Sequence, residues 1–536
     1  MEDGKKEINL DSVLESLGPY GRYNLLNFVL LLYPILLSSF FECGFIFEAR
    51  EQAYRCEVYG CEQRFNDSFW LQYAIPYNHE KEKLDSCRMF VPVHNSSTSM
   101  QCVPEDFTNE TIPCKSFVYE ESKSFVEEFN LGCNDWMRTL VGTIHNSGMF
   151  VAMLFTGAIS DRYGRKVAVG FACITSFIFG FSRAFSDSYV TYVILHFFEA
   201  ALGGGLYPSA YVLIVELVGL KQRVIVSAMC NMTFVIGVVL IGLLAWFVEN
   251  WRIYVMILYS PALVVLLYIW FMNESGRWLL SKGRRDEAVE VLKKAAKINK
   301  LDPRMLELDN LANPLLKPEN LTVDKKSQLY KAVRSGIIWR RLMICSFLWM
   351  TCSLVYYGLS INSVSLSSNK YVSFMLVVLV EIPAYVVAVL VLDKYGRKRT
   401  LIATYMTCAV TCLLFAFLPR SDWWSIPLYL IGKWSVTLAY SSVYIYVSEV
   451  FPTNMRQTLI SFCSTAGRIG SLVAPLTPLL SSYHKSMPTV IFGVMCILSN
   501  SLVFLLPETM NMRLPDTIEE AEKLSRRQSR ITKDNL

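Results

Sequence analysis

About twelve stretches of this chain are apolar over the roughly 20 residues that a helix needs to cross a hydrocarbon layer. They lie near 23–47, 136–160, 167–185, 189–217, 224–248 and 252–272, then near 341–359, 371–392, 400–418, 424–447, 457–481 and 487–506. Inside a bilayer every backbone polar group must be satisfied within the protein, so runs of this length span as helices. The charged fraction agrees. It is 18%, against about a quarter in a soluble domain. The expectation is an all-α membrane protein: a tail at 1–22, six helices within 23–272, a linking segment at 273–340, six helices within 341–506 and a tail at 507–536. The start, Met-Glu-Asp-Gly-Lys-Lys-Glu, lacks the pattern of a cleaved signal peptide, so the first span is expected to stay as an anchor.

The two sets of six are copies of each other. Gly157-Ala-Ile-Ser-Asp161-Arg162-Tyr-Gly164-Arg165-Lys166 returns in fainter form as Leu392-Asp393-Lys394-Tyr395-Gly396-Arg397-Lys398-Arg399, with Asp161 and Asp393 separated by 232 positions. Glu216 stands seven residues before Arg223, and Glu449 seven before Arg456; those glutamates are 233 positions apart. Two unrelated signatures at one offset mean a tandem duplication, hence two pseudo-symmetric six-helix bundles.

Lys and Arg concentrate in alternate loops: Arg162, Arg165 and Lys166; Lys221 and Arg223; Lys394 to Arg399; and the 273–340 segment. By the positive-inside rule these loops and both termini are expected in the cytoplasm. The polar loop at 48–135 is then extracellular. It holds Cys56, Cys61, Cys87, Cys102, Cys114 and Cys133, an even set that reads as three disulfides of unassigned pairing. Three glycosylation sequons share it, at Asn66, Asn95 and Asn109; a fourth, Asn320, falls on the opposite side and is read as chance.

Several functions are excluded. There is no phosphate-binding Gly-x-x-x-x-Gly-Lys-Ser/Thr loop, no Gly-x-Ser-x-Gly elbow and no zinc spacing, so an enzyme has nothing to stand on. The net charge of +5 is small for 536 residues and does not suit a nucleic-acid partner. His145 and His196 lie within spans and read as packing residues rather than metal ligands.

Charges at the basic ends of spans form another pattern. Gly157 and Gly164 allow close approach and a tight turn. Asp161 is expected against the positive end of a neighbouring helix, with Arg162 and Arg165 reaching carboxylates. Glu216 with Arg223 and Glu449 with Arg456 complete one set per half. The expectation is an ion-pair latch between the halves, closed when the cytoplasmic mouth is shut and open when the cavity faces in.

The Gly157–Lys166 stretch resembles the signature loop of the major facilitator superfamily, and the Glu/Arg pairs resemble a companion motif of its sugar-porter and organic-ion branches. Glu274-Ser-Gly-Arg277-Trp278, Leu506-Pro-Glu508-Thr and the large cysteine-rich loop are similar to the organic cation/anion/zwitterion transporter family. His196 stands where that family commonly has an arginine, and Val389 where the second signature has glycine. The resemblance implies a plasma-membrane carrier working by alternating access. It also adds Glu274 and Arg277 to the gate residues Asp161, Arg162, Arg165, Glu216, Arg223, Asp393, Arg397, Glu449 and Arg456.

Ionisable residues deep in a membrane are costly and usually functional. Glu381, followed by Pro383, lies near the middle of the eighth span and Arg468 near the middle of the eleventh, with Lys433 of the tenth as a third candidate. Arg468 cannot lose its charge, so it needs a carboxylate, either Glu381 or a substrate. Pro383 and the pair Gly467 and Gly470 are expected to loosen their helices. Glu42 lies nearer the end of the first span, within reach of water. Tyr356, Tyr357, Tyr440 and Tyr444 are candidates to line the same cavity, where tyrosine faces attract an organic cation, with ordinary packing as the plainer account. Within the resembled family, an arginine in the eleventh span goes with anion and zwitterion carriers, and Glu381-Ile-Pro-Ala-Tyr385 looks like its carnitine members. The expected substrate is a small organic cation or zwitterion, with organic anions second and a non-transporting surface receptor as the reading from another class. No cofactor or metal is called for. Sodium and proton both stay open as coupling ions, and a single chain is the expected transport unit.

Overall fold

The computed structural model describes residues 21–522, except 63–67, 79–82, 94–101, 121, 219–222, 302–333, 367–368, 420–421, 453–454, 482, 511–514 and 516–517. Ten helices among the described residues are long and apolar enough to cross a membrane. They are α1 (Arg22–Glu48), α2 (Asp135–Tyr163), α3 (Arg165–Arg183), α4 (Tyr189–Glu216), α5 (Ile225–Phe247), α6 (Trp251–Phe271), α7 (Gly336–Asn362), α8 (Lys370–Tyr395), α9 (Arg397–Phe417) and α11 (Thr458–Leu480). With α10 (Asp422–Val450), which carries Lys433 inside it, and the shorter α12 (Met487–Val503), the crossings number twelve.

Local chemistry sets the helix ends. Asn250, Ser335 and Asn369 accept backbone N–H groups at the starts of α6, α7 and α8, the ordinary work of N-cap side chains. Helix α8 breaks at Val380, between Leu379 and Glu381. Pro383 accounts for the break, because it brings no N–H to the carbonyl one turn earlier. Gly467 and Gly470 do not loosen α11. A Cβ on Gly467 would stand 2.4 Å from the Trp349 ring, and one on Gly470 would stand 2.2 Å from the Met350 carbonyl oxygen. They are where α11 packs closest to α7, the usual role of small residues between membrane helices.

Buried apolar side chains form two large clusters. One runs from Tyr23 to Ala296 and takes in Phe374 and Val378 of α8; the other runs from Ile338 to Ala521. Short polar helices dock beneath each. Asn299, just past the helix Arg285–Ile298, accepts the backbone N–H of Tyr23 at 2.8 Å. Arg341 of α7 donates to the carbonyl of Ala521.

Between α1 and α2 lies a small folded cap. Its strands are β1 (Tyr54–Cys56), β2 (Tyr77–Asn78), β3 (Lys83–Leu84), β4 (Arg88–Pro92), β5 (Phe107–Pro113) and β6 (Phe117–Tyr119), paired antiparallel as β1 with β6, β2 with β3 and β4 with β5. Disulfides join Cys56 to Cys114, Cys61 to Cys102 and Cys87 to Cys133. A unit this small buries little surface, and cross-links supply what its core cannot. That core is built on Val58, Trp70 and Ile75 against the cystines. Asn109 is exposed on β5. Asn66, Asn95 and Asn320 lie outside the described residues.

The α2–α3 and α8–α9 turns are copies. Gly164 has φ +110° and Gly396 φ +92°, a region that favours glycine. A Cβ on Gly164 would meet a Glu274 carboxylate oxygen at 2.3 Å, and one on Gly396 would meet Glu508 at 2.8 Å. Gly157 has nothing within 4 Å, which corrects the expectation that it allows a close approach. Gly164→Ala should therefore lower the melting temperature of the purified protein, since this backbone region, open essentially only to glycine, costs another residue about 1–3 kcal/mol before the clash is counted. Gly157→Ala should leave it unchanged, and equal shifts in the two variants would refute this account of the turn.

Candidate functional site

Three groups of charges stand out, at the basic ends of the helices, at the interface of the halves and in the capped part of the first half. At the basic end Arg165 meets Asp161 at 2.8 Å and Glu216 at 3.3 Å. The carboxylate of Glu274 accepts the backbone N–H groups of Arg165 at 3.1 Å and Lys166 at 3.1–3.3 Å. It thereby caps the positive end of α3. Burial raises the Glu274 carboxyl above its ordinary value, while the N–H groups of Ser275, Lys166 and Arg165 pull it back towards the charged form. The indole of Trp278 donates to the Asp161 carbonyl at 2.9 Å.

The second half repeats this. Arg397 meets Glu449 at 3.0 Å and Asp393 at 3.5 Å, and Glu508 accepts the N–H of Arg397 at 3.0 Å and of Lys398 at 3.1–3.3 Å. Two expectations change. The acid at the helix N-terminus is Glu274 or Glu508; Asp161, 73% exposed, sits outside and pairs with Arg165. The partner of Glu216 is Arg165, and that of Glu449 is Arg397. In this structure these contacts stay within one half, so each set fastens its own bundle. Arg162 is exposed over the Tyr163 ring at 5.4 Å, Arg456 reaches the Phe451 carbonyl at 3.5 Å, and Arg223 and Arg277 are half-buried.

Between the halves the charges sort differently. Glu381 does not meet Arg468. Its carboxylate pairs with Lys433 at 2.9 Å and accepts the Tyr356 hydroxyl at 2.7 Å. Lys433 spends its other donors on the Tyr356 carbonyl at 3.1 Å and Ser360 at 2.7 Å, and it sits over the Tyr356 ring at 3.4 Å. Both side chains are almost wholly enclosed, with 3% and 0% exposure. Arg468 instead faces Glu42 of α1 at 3.8 Å, and Glu42 accepts the Tyr357 hydroxyl at 2.8 Å. This pair spans the halves and stays partly open, with 21% and 15% exposure. The sequence places Glu42 near the end of its span, within reach of water, and does not pair it with Arg468; the unsheddable charge of Arg468 was the signal that some acid had to be there.

The tyrosines line the same region. Tyr356 contacts Tyr357 at 5.2 Å and Tyr440 at 5.8 Å between ring centres, and Tyr444 lies against Trp349 at 5.5 Å while 53% exposed. Tyr207 and Tyr211 of α4 stack on each other and approach Tyr444 from the other half. On the capped side the halves are in contact. Phe47 packs on Tyr371 and Phe374, Trp246 stacks on Tyr371, and Arg50 donates to the Tyr371 hydroxyl at 3.0 Å.

The third group was not foreseen. Arg183 of α3 bonds Glu48 at 3.0 Å, the Tyr259 hydroxyl at 2.9 Å and Nδ1 of His196. Its guanidinium thus stands beside the α4 position where the resemblance expects an arginine. Glu199 and His145 complete the group, and all six side chains are buried. Sequence reading passed over Glu48, Arg183 and Glu199 because each is near a helix end or a glycine-rich stretch. The ligand atoms of His145, His196 and Glu199 lie within 4.8 Å of one another. Nδ1 of His196 is already taken by a guanidinium, which only donates, so the neutral ring keeps its proton on Nε2, and the trio is a poor cage for a cation.

Comparison with known proteins agrees with this architecture. Residues 96–521 match the sugar (and other) transporter family. The chain is 30% identical over 529 residues to an organic cation transporter protein of Drosophila melanogaster, covering 96% of this chain and 95% of that one. It is 29% identical to solute carrier family 22 member 16 of Bos taurus, covering 96% and 94%, and 30% identical to member 13 of Homo sapiens, covering 95% and 92%. Among solved structures, the proton:xylose symporter XylE bound to a bromodeoxyglucose shares the fold with a TM-score of 0.58 at 16% identity, covering 94% of this chain and all of that one. A partially occluded inward-open XylE from E. coli gives 0.59 at 15% identity, covering 91% and 98%. These relatives are transporters and not enzymes, and the chain belongs to the sugar (and other) transporter family of the major facilitator superfamily, alongside the organic cation transporters and family 22 solute carriers.

Proposed function

We propose that this transporter carries small organic cations or zwitterions, carnitine-like or amine-bearing, across the plasma membrane as a single chain. The observation that carries the reading is the Glu42–Arg468 pair, two opposite charges on different halves, 3.8 Å apart and both partly accessible. An ammonium group would take Glu42 and a carboxylate would take Arg468. Tyrosine faces around them would add about 0.5–2 kcal/mol for a cation. The names of the similar organic cation transporters point the same way. Contacts between the halves on the capped side, with Tyr444 exposed towards the basic end, fit a state open to the basic face. Rocking of the halves would expose the pair to the other side.

The excess of Lys and Arg supports placing the basic face and both termini in the cytoplasm and the cap outside. Glycosidase should then shift the electrophoretic mobility of the protein from intact cells, and Asn109→Gln should shorten that shift. No shift in either form would argue for the reverse orientation.

An organic anion is the second substrate class, favoured by the charge of Arg468. A panel of labelled carnitine, tetraethylammonium and an aromatic carboxylate, with and without sodium, separates the classes. Glu42→Gln should cut cation and zwitterion uptake more than about tenfold, the weight of a charge-assisted hydrogen bond of about 1.5–3 kcal/mol. Arg468→Gln should do so for the zwitterion and the anion. Undiminished uptake in both variants removes this site, and binding without accumulation would make the protein a receptor.

The Glu381–Lys433 pair calls for a different result. Lys433→Ala leaves a buried carboxylate unpaired, a loss of about 3–5 kcal/mol. It should lower surface abundance and melting temperature, whereas Glu42→Gln should leave both near wild type.

A further inference from the structure

The buried group around Arg183 carries an uneven charge. Glu48 and Arg183 neutralise each other at 3.0 Å, and Tyr192 also donates to Glu48. Glu199 then has no fixed cation of its own. Its Oε2 is buried without a hydrogen bond, as are both ring nitrogens of His145 and Nε2 of His196. Nδ1 of His145 stands 3.6 Å from Oε2 of Glu199, and Nδ1 of His196 stands 3.5 Å from it. One unpaired negative charge beside unfilled nitrogen sites, all enclosed, is an expensive arrangement. A single proton removes the cost.

We propose that His145 and Glu199 form a proton-binding site, which takes up and releases one proton as the transporter changes the face to which its cavity opens. This deepens the carrier reading above and rests on it. The proton comes from water on one face and sits between Glu199 Oε2 and His145 Nδ1. It returns to water on the other face, with no bond between heavier atoms made or broken. The pair titrates as a unit. His196 is not the carrier, because the guanidinium of Arg183 already occupies the Nδ1 at which a second proton would sit.

The neighbourhood links this site to the central pair. Charges facing His145 come from α1 (Glu42, Glu48), α3 (Arg183) and α11 (Arg468); those facing Glu199 are Arg183 and Glu48, with the Tyr259 hydroxyl of α6 beside it. On its own helix, Glu199 has His196 near it, and the His196 ring lies 5.8 Å from that of Tyr192. A cavity of about 10 Å³, the room of one water molecule, is lined by His145, Glu199, Tyr207 and Glu42. Glu42 is the acid that holds Arg468 across the halves. A proton on the pair and an organic cation at Glu42 repel each other, so binding one weakens the other. That is the coupling sign of an exchange.

The test uses the full-length protein in lipid nanodiscs. Its infrared difference spectrum between about pH 5 and pH 8, the range in which histidine ordinarily titrates, should contain a carboxylic-acid or imidazolium band that Glu199→Gln removes. His145→Gln should remove or displace the same band and serves alone if the first variant does not fold. A spectrum unchanged by the substitutions overturns the proton site, whatever is transported. In proteoliposomes, an acid interior should raise tetraethylammonium uptake several-fold in the wild type and not in Glu199→Gln; equal stimulation in both also overturns it. A titrating band in a protein that takes up none of the panel leaves the site standing and counts instead against the proposed substrates.

Discussion

A formal charge inside a hydrocarbon layer has to be met by an opposite charge and by hydrogen bonds, because the solvent there offers neither. In this transporter that requirement decides which helices touch. Glu381 on α8, Lys433 on α10 and Tyr356 on α7 are drawn to one point, which ties three helices of the second half together. Glu48 on α1, Arg183 on α3 and Tyr192 on α4 do the same in the first half. Apolar side chains cannot provide such specificity, since lipid tails are as apolar as leucine.

Pairs within a half and the pair between halves are built differently, and the difference suits movement. Lys433 meets three acceptors within about hydrogen-bond distance and is fully enclosed. Breaking it would strand two charges. Glu42 and Arg468 stand further apart, keep some access to solvent and share a tyrosine hydroxyl rather than a cage. A contact that must open in each cycle cannot be worth so much that opening becomes slow. The loosely held pair lies where the halves separate, and the tightly held one lies where they do not.

The twelve spans and the duplication were legible because both rest on composition and spacing, which survive without a structure. Pairing was not legible. Arg468 plainly needed an acid, yet nothing in a one-dimensional pattern separates Glu381, twelve residues into its span, from Glu42 at the edge of another. The partners within the gate were hidden for a related reason. Matched Glu/Arg spacing in two copies is produced equally by a contact within each copy and by one between copies, and only coordinates tell them apart. Glu48 and Arg183 escaped because hydropathy places charges near span ends in water, whereas here the folded cap and the neighbouring helices cover them; Glu199, well inside α4, was passed over beside a glycine-rich stretch.

The repeated basic-face motif explains how the halves can move without the helices bending. Glu274 reaches from beyond α6 to the first N–H groups of α3, joining the third helix of its half to the segment after the sixth, and Glu508 does so from beyond α12 to α9. Arg165 and Arg397 add α4 and α10 through Glu216 and Glu449. A bundle fastened at one end in this way resists internal shear, so relative motion is left to the seam between bundles, where Phe47, Trp246, Tyr371 and Phe374 pack at the capped side. The copies are not equal. Arg165 meets its aspartate at 2.8 Å and Arg397 at 3.5 Å, and Val389 replaces the glycine that opens the first motif. Of the two fastenings, the second half's grips its aspartate less tightly and its glutamate more closely, with Arg397 at 3.0 Å from Glu449 against 3.3 Å for Arg165 and Glu216.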